Sequence, residues 1–418
     1  MTAPLHDRAA SRGAMKFRIN RLATAMVMVL ALGAQAQDTV RPDVGKHLQA
    51  AQELIKAGKY KEALQKVRDA DAVANKNPGE NYLIERMRIA AASGAGDVDT
   101  AAKSFEALSA TGKVSVADKA RMAESIAGGY YRAKDYAKAM QWGQRYFKEG
   151  GTSPAIRTLL IQSQYLAGDF AGAARELTTE IQTAERGGSA PAEDRLKLLL
   201  NAALKLGDNN AYVYAMEKLV TYYPKKEYWV DLLSRIQRKP NFSDRLALDA
   251  YRLSLATGSM SATNDFMEMT QLALQAGLPS EARQVVDKGF AANALGQGAE
   301  AERHKRLRDL VSKKLDEAKA GQAEAQKQAL ADKNGTALVN AGFDMVFSAQ
   351  APQGLAMMQQ GIAKGGLKRP DDATLHLAIA QLMAGQTPKA QALLKTVVGN
   401  DGTADLARLW SLYARRKG

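Results

Sequence analysis

From about residue 44 to residue 398, apolar positions recur at the three-and-four spacing of helices, and the same short turn interrupts them at nearly regular intervals. Ala57-Gly58-Lys59-Tyr60-Lys61-Glu62-Ala63 is echoed by Ala95-Gly96-Asp97-Val98-Asp99-Thr100-Ala101, by Lys134-Asp135-Tyr136-Ala137-Lys138-Ala139 and by Ala167-Gly168-Asp169-Phe170-Ala171-Gly172-Ala173. The alanines that close these motifs, at 63, 101, 139 and 173, stand 38, 38 and 34 residues apart. The spacing predicts a series of paired helices. Gly58, Gly96 and Gly168 take the positive φ that ends the first helix, and an aromatic or branched residue two positions on plugs the joint. The alanine sits where the two helices approach most closely, so a larger side chain would push them apart. Seven positions further on, a small or packable residue such as Ala70 or Tyr146 commits a second turn of the same face to the interface.

The register returns at Gly277-Leu278-Pro279-Ser280-Glu281-Ala282, followed by Gly289, and at Gly385-Gln386-Thr387-Pro388-Lys389-Ala390, followed by Leu394 and Val397. Proline at 279 and 388 suits the first turn of the second helix, where its missing N–H costs nothing. A degenerate copy runs from Leu338 through Gly342, Gly354 and Gly361. Two looser copies lie between Asp194 and Asp244: Gly207-Asp208 marks one turn, Pro224 ends that pair, and Trp229 with Leu232 opens the next. These motifs match the tetratricopeptide (TPR) pattern. The expected fold is all-α, a right-handed α-solenoid of TPR-like helix-turn-helix repeats, continuous from 44 to 398. Its expected parts are N-terminal repeats over 37–183, central repeats over 184–298, a charged helical insert over 299–333, and C-terminal repeats over 334–418. The insert reads as a solvated helix or helical hairpin laced with i,i+4 charge pairs. The stripe Leu406, Leu409, Trp410 and Tyr413 reads as a capping helix over the last repeat's open face.

Composition supports a folded helical chain, because 46% hydrophobic with 24% charged residues is ordinary globular usage and the aromatic share is only 6%. The net charge of +14 raises a nucleic-acid reading, but Arg8, Arg12, Lys16, Arg18 and Arg21 against Asp7 place +4 of it in residues 1–36. The remainder is spread along the chain without a block of five or six like charges, so no nucleic-acid partner is expected. Met15 to Ala36 has a basic start, an apolar run from Leu22 to Leu32 and the small-x-small triplet Ala34-Gln35-Ala36, which together predict a secretory signal peptide cleaved near Ala36. The fourteen residues before Met15 read as an unused upstream start. The apolar run is much shorter than the ~20 residues that span a bilayer, so no membrane span is expected to survive cleavage. With no cysteine anywhere, disulfides, thiolate metal sites, thiol nucleophiles and a lipidated cysteine are all excluded.

Candidate chemistry is sparse. The histidines His6, His47, His304 and His376 do not share helical spacing, so no metal site is expected, and phosphate-loop, nucleophile-elbow and dinucleotide motifs are missing. No cofactor and no catalytic residue are therefore assigned. Asp371-Asp372 reads as charge at a helix N-terminus. The densest aromatic and basic segment is Tyr222-Tyr223-Pro224-Lys225-Lys226-Glu227-Tyr228-Trp229. Tyr222, Tyr223, Lys225, Lys226, Tyr228 and Trp229 have the composition of a protein-binding hot spot, and equally that of the core between repeats.

That segment, with Leu232-Leu233, Leu246-Ala247-Leu248-Asp249-Ala250-Tyr251-Arg252-Leu253 and Lys364-Gly365-Gly366-Leu367-Lys368-Arg369-Pro370 leading into Leu375-His376-Leu377, resembles bacterial tetratricopeptide proteins described as components of the TonB energy-transduction system. The resemblance covers the chain beyond the signal peptide and is most specific over 220–400. It implies a non-enzymatic periplasmic adaptor whose partners are envelope proteins, TonB and its motor proteins among them, and it carries over no site residue. Two other readings stay open from the residues alone: a scaffold for peptidoglycan maintenance or polysaccharide export, and a peptidoglycan-acting enzyme with a helical superhelix. An imperfectly capped stack also leaves a homodimer open.

Overall fold

The structure, a computed structural model, describes residues 40–348 and 350–415. The expected signal peptide lies outside these. Every regular element among the described residues is helical, and the chain divides into two compact units, Met1–Gly168 and Asp169–Gly418.

The first unit contains α1 (Pro42–Lys56), α2 (Tyr60–Asp71), α3 (Pro78–Ala95), α4 (Val98–Ala110), α5 (Val116–Arg132), α6 (Tyr136–Lys148) and α7 (Pro154–Leu166). Each helix packs on the next in sequence, and the odd-numbered helices also pack on one another, which is the arrangement of TPR-like hairpins. The repeated turn explains the repeated hairpin. Gly58 and Gly96 stand at φ 72° and 81°, and the following N–H reaches back five residues, Lys59 N to Leu54 O at 2.8 Å and Asp97 N to Ala92 O at 2.9 Å. Asp97 and Asp135 then cap α4 and α6, each accepting a hydrogen bond from the backbone N–H three residues on, at 3.2 and 3.1 Å. A residue that ends one helix and a residue that begins the next are thus adjacent in sequence. The third turn takes the same shape without glycine: Lys134 is held at φ 62°.

The predicted alanines are where the hairpins need them, since Ala63, Ala101 and Ala139 have no exposed surface. The plug residues act between hairpins rather than within them. Tyr60 of α2 lies over Gly94 of α3, and Val98 of α4 lies over Gly129 of α5, so closely that a Cβ on either glycine would stand 2.2 and 2.9 Å from the plug. Arg41 and Asn77 fix the first joint. Asn77 and Glu80 form a reciprocal cap on α3, and Arg41 donates from its backbone N at 2.9 Å and its Nε at 3.0 Å to the same Glu80 carboxylate.

The second unit contains α8 (Phe170–Arg186), α9 (Glu193–Leu206), α10 (Asn209–Tyr222), α11 (Lys226–Gln237), α12 (Ala247–Thr257), α13 (Thr263–Gln275), α14 (Pro279–Ala291), α15 (Ala301–Ala331), α16 (Thr336–Val346), α17 (Ala351–Lys364), α18 (Pro370–Met383), α19 (Thr387–Leu394) and α20 (Thr403–Ala414). The expected turns recur at Gly207, Gly277 and Gly385, each with positive φ and a five-residue back-bond from the next residue. The charged insert is one helix, α15, rather than a hairpin. Its ends are anchored by Leu307, Val311 and Ala329, while 316–321 is exposed throughout. The stack bypasses it, because α14 packs directly on α16. The degenerate glycine copy makes a close helix crossing. A Cβ on Gly342 would stand 2.6 Å from the carbonyl oxygen of Gly354, and one on Gly354 would stand 2.4 Å from that of Gly342, so α16 and α17 meet backbone to backbone.

One expectation needs correction. The Leu406, Leu409, Trp410 stripe of α20 is buried, but not only over the last repeat: α20 packs on α18 and α19 and also on α10 and α12. A helix over a free end would touch only its neighbours. Here the end of the second unit closes on its own middle, so this unit is not an open run of hairpins.

Candidate functional site

The closure is made by polar side chains that sequence distance keeps apart. α11 ends at Gln237, and the chain then loops through a 3₁₀ turn at Asp244–Leu246 before α12. That loop meets the one before α20. Ser243 N donates to Asp401 O at 2.9 Å, Lys239 Nζ reaches Asp405 at 2.8 Å, and Arg245 bridges Asp372 and Asp401, each at 2.8 Å. Arg408 of α20 adds a 2.8 Å ion pair to Glu217 of α10. Burial holds the Glu217 and Asp372 carboxyls above the ordinary carboxylate range.

Deeper in the unit, four helices contribute to one buried charge network. Arg252 of α12 grips Glu281 of α14 with two parallel bonds, Nε to Oε1 at 2.7 Å and Nη2 to Oε2 at 2.6 Å, while its Nη1 donates to Asp249 at 2.6 Å. His376 of α18 places Nε2 2.9 Å from the same Asp249 oxygen. With Nε2–H donating there, Arg252 Nη1 at 3.2 Å is a neighbour of the ring and not a second partner. Phe343 of α16 stacks on the His376 ring at 4.8 Å and also lies 4.7 Å under the Arg252 guanidinium. Burial opposes ionisation of Asp249, but His376 and Arg252 overcome it and hold this carboxyl below its usual range. Burial likewise opposes the Arg252 cation, and Glu281 and Asp249 outweigh it, pushing its pKa up. Burial raises the Asp344 carboxyl, which accepts from Ser280 N at 2.9 Å and Ser280 Oγ at 2.8 Å.

A carboxylate-oriented imidazole is the base arrangement of many hydrolases, where the imidazole in turn meets a nucleophilic hydroxyl. Among the described residues no serine or threonine hydroxyl is hydrogen-bonded to His376, and Phe343 covers one face of its ring. What the network does is tie α12, α14, α16 and α18 together. Truncating one member would strand buried charge, which makes the set mutually dependent.

The segment 222–229 is divided between core and surface. Trp229 has no exposed area. The tyrosine hydroxyls turn back onto α8, α9 and the loop between them: Tyr222 donates to Glu185 of α8 at 2.8 Å, Tyr223 to Pro191 O in the loop at 2.9 Å, and Tyr228 to Glu193 of α9. Lys225 shares that Glu193 at 2.6 Å, and Lys225, Tyr228 and Lys197 together hold its carboxyl down to about 2. Burial together with Glu185 pushes the Tyr222 phenol up to about 12. Lys225 and Lys226 remain exposed. Sequence reasoning singled out this cluster by composition and passed over Asp249, Arg252, Glu281 and Arg245. A charged residue on a helix carries no signal of its partner on another helix, whether 29 positions away as for Arg252 and Glu281 or 127 as for Asp249 and His376.

No helix of the described residues is long and apolar enough to cross a membrane. No protein-family model matches the chain, and no curated protein matches it in sequence. Among solved structures it is similar to the TPR domain of P58(IPK), at 12% identity and a TM-score of 0.22 over 90% of this chain and 98% of that one. It is also similar to yeast Tom70, at 12% identity and a TM-score of 0.25 over 89% and 96%. Overlays this loose carry no argument about shape or partners; the turns, caps and alanine crossings of the chain itself define its TPR-like hairpins.

Proposed function

We propose that the chain is a non-enzymatic protein-binding scaffold of the bacterial periplasm, an accessory adaptor of TonB-dependent uptake. The observation that carries the scaffold reading is how the polar groups are spent. The groups with catalytic potential, Arg252, Asp249, Glu281 and His376, are engaged with one another and bind four helices together. Hairpin stacks of this kind offer long surfaces from which several side chains can engage one extended partner. The TonB assignment is the finer step and rests on the resemblance over 220–400. The signal-peptide pattern at Met15–Ala36 supports export.

In-cell crosslinking followed by mass spectrometry tests both levels. The expected result is enrichment of TonB or its motor proteins, together with slower growth on iron chelates after deletion. Enrichment of other envelope proteins with normal growth would remove the TonB assignment and keep the scaffold. Tight binding to isolated sacculi would move the role to peptidoglycan maintenance, and clearing on a peptidoglycan zymogram would overturn the non-enzymatic reading.

A further inference from the structure

The ends of four helices in the second unit meet at one corner. α15 ends at Ala331, α16 begins at Thr336, α17 ends at Lys364 and α18 begins at Pro370. The two loops touch: Gly335 N donates to Gly365 O at 2.9 Å, Lys364 Nζ donates to Leu330 O at 2.6 Å, and a Cβ on Gly366 would stand 3.0 Å from the Asn334 Cβ. Lys333 and Lys368 thus each lie within two residues of one point of contact. These loops gather cations that the sequence holds in two groups, Lys327 and Lys333 from the α15 side and Lys364, Lys368 and Arg369 from the α17 side. All are exposed, and none is in an ion pair among the described residues. Two carboxylates share the corner, Asp371 and Asp332, the latter accepting from Asn334 N at 3.3 Å, so cations are in excess. Asp372 is taken by Arg245. Among the cations Leu330 is 49% exposed, on the same face of α15 as Lys327 and one turn on.

We propose that this corner docks on the surface of an anionic lipid bilayer, with its cations among the headgroups and Leu330 dipping between them. Charge complementarity calls for an anionic partner. An acidic protein segment is the competing occupant, and two observations favour the bilayer. Four of the five cations are lysines, compact charges on flexible stems, whereas recognition of individual carboxylates favours the two-pronged fork of arginine. Flexible cations spread over two loops suit a plane of charge, which asks for no register. A leucine half out in water among cations also matches the boundary between headgroups and acyl chains, where both the charges and the apolar side chain are satisfied. A few cations and one leucine give a weak, reversible and salt-dependent contact, which orients the unit on a membrane and does not anchor it. The inference goes beyond the scaffold reading and depends neither on it nor on the TonB assignment.

The test is the fluorescence of an environment-sensitive nitrobenzoxadiazole label at Ala331→Cys, an exposed position in a full chain that has no cysteine of its own. The label reports on its own surroundings, so attachment of the chain through any other segment leaves it in water. Vesicles of phosphatidylcholine with about a third phosphatidylglycerol should shift its emission to the blue, and pure phosphatidylcholine should not. Each cation held at such a surface strengthens binding about fivefold, so the triple variant Lys333→Glu, Lys368→Glu, Arg369→Glu, checked by its thermal melt, should bind at least about a hundredfold more weakly and lose the shift. Should that variant fail to fold, salt decides on the wild type: about 1 M NaCl, where the screening length falls to about 3 Å, should abolish the shift. Leu330→Ser should weaken binding several-fold and keep its salt dependence. No shift with the anionic vesicles, an equal shift with neutral ones, a shift that survives the triple variant or the salt, or binding unchanged by Leu330→Ser would each overturn the proposal. A shift given by poly-glutamate and not by vesicles would overturn it in favour of an acidic protein partner.

Discussion

The two units are built from the same hairpin and stabilised in different ways. In the first, every joint is local: turn, cap, plug and alanine lie within one repeat or its neighbour, and the longer ties, such as Arg41 to Glu80 and Lys138 to Asp99, each span about one repeat. In the second, the ties that matter cross the sequence. Arg245 meets Asp372, Lys239 meets Asp405 and His376 meets Asp249, while α20 returns to α10 and α12. A nearest-neighbour stack tolerates local loosening, because each interface contributes separately. A closed unit concentrates stability in a few long-range contacts, and breaking one of them should loosen all.

The largest test of this difference is Arg252→Met. It leaves Glu281 and Asp249 buried without their cation and is expected to cost about 3–5 kcal/mol in urea unfolding. Destabilisation under 1 kcal/mol would mean the network does not hold the unit. Gly342→Ala comes next, at about 3 kcal/mol, because the added Cβ meets a backbone carbonyl 2.6 Å away that cannot rotate aside. Its counterpart in the first unit is Gly129→Ala, whose Cβ meets Val98 methyls at 2.9 and 3.0 Å. Side-chain adjustment there should hold the loss to about 1 kcal/mol. Equal losses at the two glycines would erase the distinction between backbone and side-chain crossings.

Lys134→Gly should act in the opposite direction. The left-handed backbone costs a non-glycine residue roughly 1 kcal/mol, so the substitution is expected to raise the melting temperature of the first unit by a few degrees.

The acid response is the finest contrast. Arg41 holds the Glu80 carboxyl at about 2 against an ordinary 4.5, so its contribution to the first joint is complete above 4.5 and fades as pH falls toward 2. Glu217, Asp344 and Asp372 shift the other way through burial, and their contribution to the second unit is complete in acid and lost as pH rises through their raised values. Asp249, held low, opposes them only in stronger acid. Glu80→Gln should flatten the acid limb of unfolding for probes in α1 to α3 and leave probes in α20 unchanged.

This contrast also explains what was legible in the sequence. The turns at 58, 96, 207, 277 and 385 and the alanines at 63, 101 and 139 could be read because helix ends and close crossings constrain residues within a few positions of one another. Gly342, Gly354 and Gly361 were visible as a degenerate copy, and their backbone contact accounts for glycine where other copies use alanine. The return of α20 was not legible. Its apolar stripe specifies a buried face but not which helices bury it, and Asp401, Asp405 and Arg245 look like ordinary surface charge until the fold brings them together. The segment 222–229 drew notice by composition, and the geometry places Trp229 inside and the tyrosine hydroxyls on neighbouring helices.

The closure of the second unit is tested most directly by double electron–electron resonance between spin labels at Asn241→Cys and Asn400→Cys, introduced into a chain with no cysteine of its own. In the structure Asn241 donates to the Asn400 carbonyl, so a single narrow population at the shortest separation between labels is expected. A broad distribution at long separation would show an open run of hairpins and contradict the account.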